Sequence, residues 1–301
     1  MPLVSVILPV FNGARHISES IASIIGQSLG DFELIIVNDG STDQTRERIE
    51  EINDSRVRYV ELARNMGSAA ATQAGYERST GKYIALQDAD DVSEPARLET
   101  QARLMNGQPR TAVLGSTMVC FGGSTRRLTA PPDDGNIKVR LLAGAGNIYN
   151  PTAMIRKSFI DKHALGWRAE HGAVFDWAFY IDVMMHDGTF ANIATPLVRY
   201  RVHEAQQSRN LDHCRPVIAT IRQRVMAKFF PELTADELTT LEPLLQWAGP
   251  PPLAPAAVAE GLAILEKAEQ STASARCENH AALGHYLKQC RQRWTQALGA
   301  H

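Results

Sequence analysis

The sequence predicts an α/β protein: a mostly parallel sheet flanked by helices, with a helical extension behind it. Three observations carry this reading. Short apolar, β-branched runs alternate with segments of helical period over roughly the first hundred residues. The runs end on turn-forming residues such as Asn12-Gly13 and Asn38-Asp39-Gly40. Beyond about residue 209 the pattern is mostly helical.

Residues 4–8 read as a buried strand closed by Pro9 and Asn12-Gly13. Ile17, Ile21, Ile24 and Ile25 then recur on one helical face. Residues 34–37 are a second buried strand, and Ser41 with Gln44 has the pattern of a capping box opening a helix to about residue 53. Residues 57–62 are a third strand, and the Ala-rich stretch 67–78 is a helix. A fourth strand over 83–87 is followed by Asp88-Ala89-Asp90-Asp91. Ser93 and Pro95 then suit the start of a helix over 96–106. Further on, 112–121, 152–155 and 197–202 read as strands and 176–185 as a helix. Loops lie between them, among them Pro131-Pro132-Asp133-Asp134-Gly135, suited to an acceptor-side wall. Thr234 and Glu237 make another capping-box pattern, Gly249-Pro250-Pro251-Pro252 breaks the chain, and 256–268 and 281–298 read as helices. The expected division is an α/β domain over 1–208 and a helical extension over 209–301.

With 44% hydrophobic and 21% charged residues, the 301-residue chain has the profile of an ordinary globular protein. A net charge of -2 excludes a global field that would draw it onto nucleic acid or acidic lipid. Cys120, Cys214, Cys277 and Cys290 show no CxxC spacing, which fits a reducing, cytoplasmic setting. The first residues lack the basic start and long apolar core of a signal peptide. No apolar run approaches the ~20 residues that span a bilayer, so membrane contact is expected to be peripheral at most. Cys277, His280, His285 and Cys290 are zinc-capable types, but a helix puts only 277 and 280 on one face, so no zinc site is read there. Trp247 and the apolar residues of 238–245 read as a small helical core.

In parallel sheets ligands bind beyond the carboxyl ends of the strands. Pro9-Val10-Phe11, Asp39, Arg64-Asn65 and Asp88-Ala89-Asp90-Asp91 all follow predicted strands, so one ligand could touch all of them. Carboxylates are hard oxygen donors suited to Mg²⁺ or Mn²⁺. An ion held there would neutralise charge developing on a departing diphosphate. The same acidic residues also suit a turn that favours the dipole of the following helix. Asp39 can accept a hydrogen bond from a uracil N–H or serve simply as a turn residue. Arg64 can pair with a phosphate or stack on a base, or be an exposed loop arginine. His203 can complete a metal site or sit on the surface. Asp176 opens a predicted helix and could be a general base, with Glu170 as the competitor; either could equally be a solvated carboxylate.

The order of these pieces carries a resemblance. The segment Val4-Ser5-Val6-Ile7-Leu8-Pro9-Val10-Phe11-Asn12 resembles the opening of family 2 glycosyltransferases with the GT-A fold. So do Phe32-Glu33-Leu34-Ile35-Ile36-Val37-Asn38-Asp39-Gly40-Ser41-Thr42-Asp43, Arg64-Asn65-Met66-Gly67, and Gly81-Lys82-Tyr83-Ile84-Ala85-Leu86-Gln87-Asp88-Ala89-Asp90-Asp91. Tyr200-Arg201-Val202-His203 through Ser208 is similar to the family's closing signature. The resemblance covers about the first two-thirds of the chain, one domain's worth. It implies that Pro9, Phe11, Asp39 and Arg64 line a nucleoside pocket, and that Asp88, with Ala89 beside it, sits near the ribose or metal. It further implies that Asp90 is the principal ligand of Mn²⁺ or Mg²⁺, that His203 approaches the metal or diphosphate, and that Asp176 is the base of an inverting transfer. The donor it implies is a UDP- or dTDP-sugar, and the partner a carbohydrate or lipid-linked acceptor. Asn38 stands where the family often has a first Asp, and Phe175-Asp176-Trp177 departs from its usual Glu-Asp. Only Gln292-Arg293-Trp294 approximates the motif of processive synthases, so addition of single sugars is expected, in polysaccharide, glycolipid or glycoconjugate assembly. A sugar nucleotidyltransferase and a non-catalytic nucleotide-sugar-binding scaffold are the competing classes. The tail could dimerise, cap the acceptor site or touch lipid.

Overall fold

The computed structural model describes residues 1–144, 147–203, 214–246, 253–270 and 280–299. The chain divides into two units, 1–132 with 148–214, and 133–147 with 215–301. The expected boundary at 208/209 lies outside the described residues, as do Trp247, Cys277 and the break at 249–252.

The first unit is built on strand-helix alternation. Strands β1 (Val4–Val10), β2 (Phe32–Asn38) and β4 (Tyr83–Leu86) are buried along almost their whole length, and β3 (Val57–Glu61) is half exposed at the edge. Near-continuous apolar runs rather than alternating ones are what a parallel sheet covered on both faces requires. Register confirms it: β1 pairs in parallel with both β2 and β4, and β2 with β3. Helices α1 (Ile17–Ile25), α2 (Thr45–Glu50) and α3 (Ser68–Glu77) connect these strands. Ile17, Ile21 and Ile24 are fully buried beneath Val6 and Leu8 in one core, as their spacing predicts. Gly75 lets α3 lie close on β1, because a Cβ there would come within 2.5 Å of Ile7 Cγ2.

Beyond β4 the sheet changes character. Its order is β3-β2-β1-β4-β8-β6-β9-β5, with β7 (Arg127–Leu128) paired to β6. β8 (Met154–Arg156) runs antiparallel to both β4 and β6 (Thr111–Gly122), β6 runs parallel to β9 (Thr189–Val202), and β5 (Val92–Ser93) is antiparallel to β9. Antiparallel ladders thus enter only in this half and are short, and the sheet is mostly parallel, as expected. Helix α4 (Arg97–Gly107) follows β5, and α6 (Lys157–His163) and α7 (Phe175–Met185) lie between β8 and β9.

Several local readings are corrected. Ser41 and Gln44 form no capping box: Gln44 stands at the N-cap of α2 with no side-chain bond. The Ser41 hydroxyl instead accepts from the Asn12 amide, and Asp43 accepts from the Thr45 amide. Ser93 belongs to a strand rather than a helix start. The stretch at 131–135 is no loop throughout, because Asp133 caps helix α5 (Asp134–Ala143) by accepting from the Asn136 amide at 3.0 Å.

The second unit contains α5 together with α8 (Arg215–Phe229), α9 (Ala235–Leu241), α10 (Pro255–Gln270) and α11 (His280–Gly299). The capping box at Thr234 is present: its hydroxyl accepts from the Glu237 amide, and Glu237 accepts from the Thr234 amide. Leu238, Leu241, Leu244 and Leu245 are buried, as expected of a helical core. The carbonyl of Leu244 accepts from Trp294 Nε1 at 3.0 Å and from Arg293 Nη2 at 2.8 Å, satisfying a helix-end acceptor. Cys290 is buried in this core and His285 hydrogen-bonds Gln289 on the surface. No helix among the described residues is long and apolar enough to cross a membrane.

Gly40, directly after β2, has φ +67°, and a Cβ there would lie 2.6–2.9 Å from the backbone of Arg64 and Asn65. Gly40→Ala should therefore cost about 1–3 kcal/mol or more, read from urea denaturation. An unchanged midpoint would show that this turn carries no such constraint.

Candidate active site

The acidic turn after β4 rests on a buried polar platform. Gln87 is fully buried, and its Nε2 donates to the Ser20 hydroxyl and to the carbonyls of Asp88 and Asp91, all at 3.0–3.1 Å. Its Oε1 accepts from Ser93 Oγ and from Arg97 Nη1. Arg97 is itself fully buried, with Nη2 donating to the Leu86 carbonyl at 2.7 Å. The carbonyls of Leu86, Asp88 and Asp91 thus each find a donor in this platform, so the turn has little freedom to tilt.

Strand β9 clamps the turn from the side. The Arg201 amide donates to Asp91 Oδ1 at 2.8 Å, and Arg201 Nε donates to the Asp90 carbonyl at 2.8 Å. Two residues along, His203 Nε2 lies 2.8 Å from Asp90 Oδ2. The other oxygen of Asp91 is buried with no hydrogen-bond partner among the described residues.

Burial dominates the electrostatics. It pushes the Asp88 carboxyl up to about 7, with Asp90 and Asp176 adding repulsion and Asn150 opposing by donating to it. Burial, then Asp88 and Asp90, hold Asp91 above the ordinary carboxylate range. Asp176 is raised by burial too, although its Oδ1 accepts from the Trp177 amide at 2.7 Å. Burial lowers Arg97 to about 10 despite the attraction of Asp88 and Asp91. Burial and the nearby Arg201 lower His16.

Asp88, Asp176 and His16 face one cavity of about 360 Å³. It is lined by Pro9, Phe11, Asp39, Asp88, Ala89, Asp90, Asp176 and His203, so eight of the ten residues singled out from sequence meet there. Arg64 and Glu170 do not line it. Arg64 is exposed with Nε 3.4 Å from Met66 Sδ, and Glu170 is exposed on the 3-10 segment Ala169–Val174. Asp39 also plays a structural part, since its two carboxylate oxygens accept from the amides of Met66 and Gly67 at 2.7 and 2.8 Å, where α3 begins. Among the described residues the cavity lining contains the four aspartates Asp39, Asp88, Asp90 and Asp176 and the two histidines His16 and His203, but no lysine or arginine.

Sequence reasoning missed His16, Asn150 and Arg97, and it named Asp91 only as part of the acidic run. His16 precedes a helix and Asn150 lies in the short 3-10 turn Asn150–Thr152, positions without periodic signal. Arg97 carried one: Leu98, Gln101, Ala102 and Met105 share its buried helix face.

The loop after β1 does not serve as a phosphate cradle. The amides of Asn12, Gly13 and Ala14 already donate to Ser41, Thr45 and Asp43 side chains. No three His, Cys, Asp or Glu side chains among the described residues form a ready metal cage. Asp90 and His203 nevertheless present an oxygen and an imidazole nitrogen to the same point, which suits an ion that takes its remaining ligands from phosphate and water.

Residues 5–164 match the family model for glycosyl transferase family 2. This chain is a family 2 glycosyltransferase. An uncharacterized glycosyltransferase of Haemophilus influenzae is 31% identical to it over 224 residues, 70% of this chain and 69% of that one. The Escherichia coli protein WfgD, named as a UDP-Glc:alpha-D-GlcNAc-diphosphoundecaprenol beta-1,3-glucosyltransferase, is 35% identical over 103 residues, 34% of this glycosyltransferase and 41% of that one. In structure it resembles S. aureus TarS 1-349 in complex with UDP-GlcNAc, with TM-score 0.68 at 16% identity over 98% of this chain and 92% of that one. It also resembles the mannosyltransferase PcManGT of Pyrobaculum calidifontis in complex with GDP-Man and Mn2+, with TM-score 0.52 at 21% identity over 99% and 86%. The fold of this glycosyltransferase is therefore GT-A.

The raised Asp88 carboxyl fixes a pH dependence. A group whose folded value of about 7 exceeds its ordinary 3.8 binds its proton more tightly in the native state, so its contribution to stability falls as pH rises from about 4 to 7. Asp88→Asn should stabilise the ligand-free protein at pH 8, by about 4 kcal/mol at most, and the gain should vanish near pH 4. Thermal melting at the two pH values checks it; equal gains at both would assign the effect to something other than this carboxyl.

Proposed function

We propose that this chain transfers a single sugar from a UDP- or dTDP-sugar to an acceptor hydroxyl with inversion, using Mn²⁺ or Mg²⁺. One observation carries the reading: a cavity lined by four aspartates and, among the described residues, no lysine or arginine. Such a site repels a diphosphate by itself, so a nucleotide-sugar donor needs a divalent cation to enter it. UDP-GlcNAc in the TarS structure and GDP-Man with Mn2+ in PcManGT support the ligand class. The WfgD name supports assembly of a polysaccharide or glycolipid as the setting.

Asp90 and His203 would hold the cation, and Asp88 would stand beside it. Bound there, the cation supplies Lewis-acid stabilisation of the departing diphosphate. Pro9 and Phe11 offer apolar surface for the nucleoside, and Asp39 keeps lone pairs for a base N–H beyond those it gives to α3. Asp176 takes the proton from the acceptor hydroxyl as that oxygen attacks the anomeric carbon and the bond to the diphosphate breaks. Its raised pKa, caused by burial, makes it a stronger base than an exposed carboxylate. Glu170, exposed and away from the cavity, is the weaker candidate. The occupied amides after β1 weigh against nucleotidyl transfer, and the buried, raised carboxylates weigh against a passive scaffold.

Asp176→Asn keeps the acceptor for the Trp177 amide but removes the base. It should lower kcat about 10²–10⁴-fold while the Mn²⁺-dependent thermal shift with UDP stays as in the wild type. Glu170→Gln should leave kcat unchanged. Normal transfer by Asp176→Asn, or a wild type that neither binds UDP with Mn²⁺ in calorimetry nor hydrolyses a UDP-sugar, would overturn the assignment.

A further inference from the structure

His16 sits at the entry to α1 and lines the cavity. Its ring centroid lies 5.5 Å from that of His203, whose Nε2 is 2.8 Å from Asp90 Oδ2. His16 therefore belongs to the Asp90 end of the cavity, where the nucleotide's phosphates have to lie if the cation is held there. Its ring nitrogens make no hydrogen bond to any described residue, whereas His203 is already engaged with Asp90. A half-buried imidazole with an uncommitted N–H, in a wall whose described residues include neither lysine nor arginine, is a donor in want of an acceptor. The other side-chain nitrogens in the wall are taken or differently placed. Asn150 donates to Asp88 and its Oδ1 accepts from Tyr180 at 3.2 Å. Asn12 Oδ1 accepts from the Thr42 amide at 2.8 Å, holding that amide group in the loop after β1.

We propose that His16 is a further substrate-binding residue of this site, donating a hydrogen bond to the terminal phosphate of the nucleoside diphosphate. The inference rests on the reading of the cavity as a nucleotide-sugar site. It adds a contact selective for the second phosphate, made by a side chain rather than by the cation. The same contact serves the donor before transfer and the free diphosphate after it, so His16 tightens both and slows product release.

The test compares two probes in one variant. Calorimetry in saturating Mn²⁺ measures UDP, which has the terminal phosphate, and UMP, which lacks it. His16→Phe preserves a ring against His203 but removes the donor; His16→Gln restores a donor without the ring. His16→Phe should weaken UDP about tenfold, the scale of one hydrogen bond to a charged group, and leave UMP as in the wild type. His16→Gln should recover part of the loss. Equal weakening of UDP and UMP in both variants would mean that His16 only packs against His203, and unchanged UDP affinity in His16→Phe would mean that it contacts no phosphate; either result overturns the proposal. A wild type that binds neither probe would instead remove the underlying nucleotide reading, a separate and recognisable failure. Should His16→Phe not fold, judged by melting, the UDP-to-UMP affinity ratio of His16→Gln against the wild type decides alone, an unchanged ratio with lower affinity for both counting against the proposal.

Discussion

The rest of the first unit depends on one arrangement, the crowding of carboxylates at the tip of β4. Asp88, Asp90 and Asp91 are consecutive or nearly so, and Asp176 approaches from α7. Placing such groups together away from water is unfavourable unless something opposes their repulsion. Arg97 lies beneath as a fully buried cation that touches no carboxylate and is instead hydrogen-bonded to Gln87, Ser93, Gln101 and the Leu86 carbonyl. It stabilises the turn through its field without pairing with any one acid. Strand β9 closes the arrangement through Arg201, and the short β5, directly after the turn, pairs antiparallel with that strand.

Asp39 shows how one side chain can serve fold and site together. By accepting from the amides of Met66 and Gly67 it ties the end of β2 to the start of α3. The loop that carries Arg64 is held by this tie of the Asp39 carboxylate to two backbone amides.

Much of the first unit was legible because burial on both faces leaves little choice of residue. β1, β2 and β4 read as apolar runs and the isoleucines of α1 as a stripe. Legibility failed where the same residue types serve two structures. Asp133 looks like turn material and is a helix cap; Ser41 looks like a cap and is a loop acceptor. The first half of β9 was missed because Asn192, Thr195 and Pro196 interrupt its apolar pattern at a bulge against Ser116 and Thr117. In the site, seven residues followed from motif order at strand ends and Asp176 from its place at a helix start. Arg64 was drawn in by its place after a predicted strand and Glu170 by its nearness to Asp176, neither of which says what direction a side chain takes. His16 and Asn150 could not be found that way, since only the folded chain brings them to the cavity.

Helix α5 has a consequence for the gene as well as the fold. It interrupts the segment that builds the sheet, yet its partners α8 and α11 are encoded far downstream. Ile137, Leu141 and Leu142 are fully buried, and shortening the chain after Cys214 would strip away the helices on which α5 packs. The catalytic half and the tail are therefore not separable as a cassette. Recombination that exchanged one without the other would have to redesign that apolar helix at the same time.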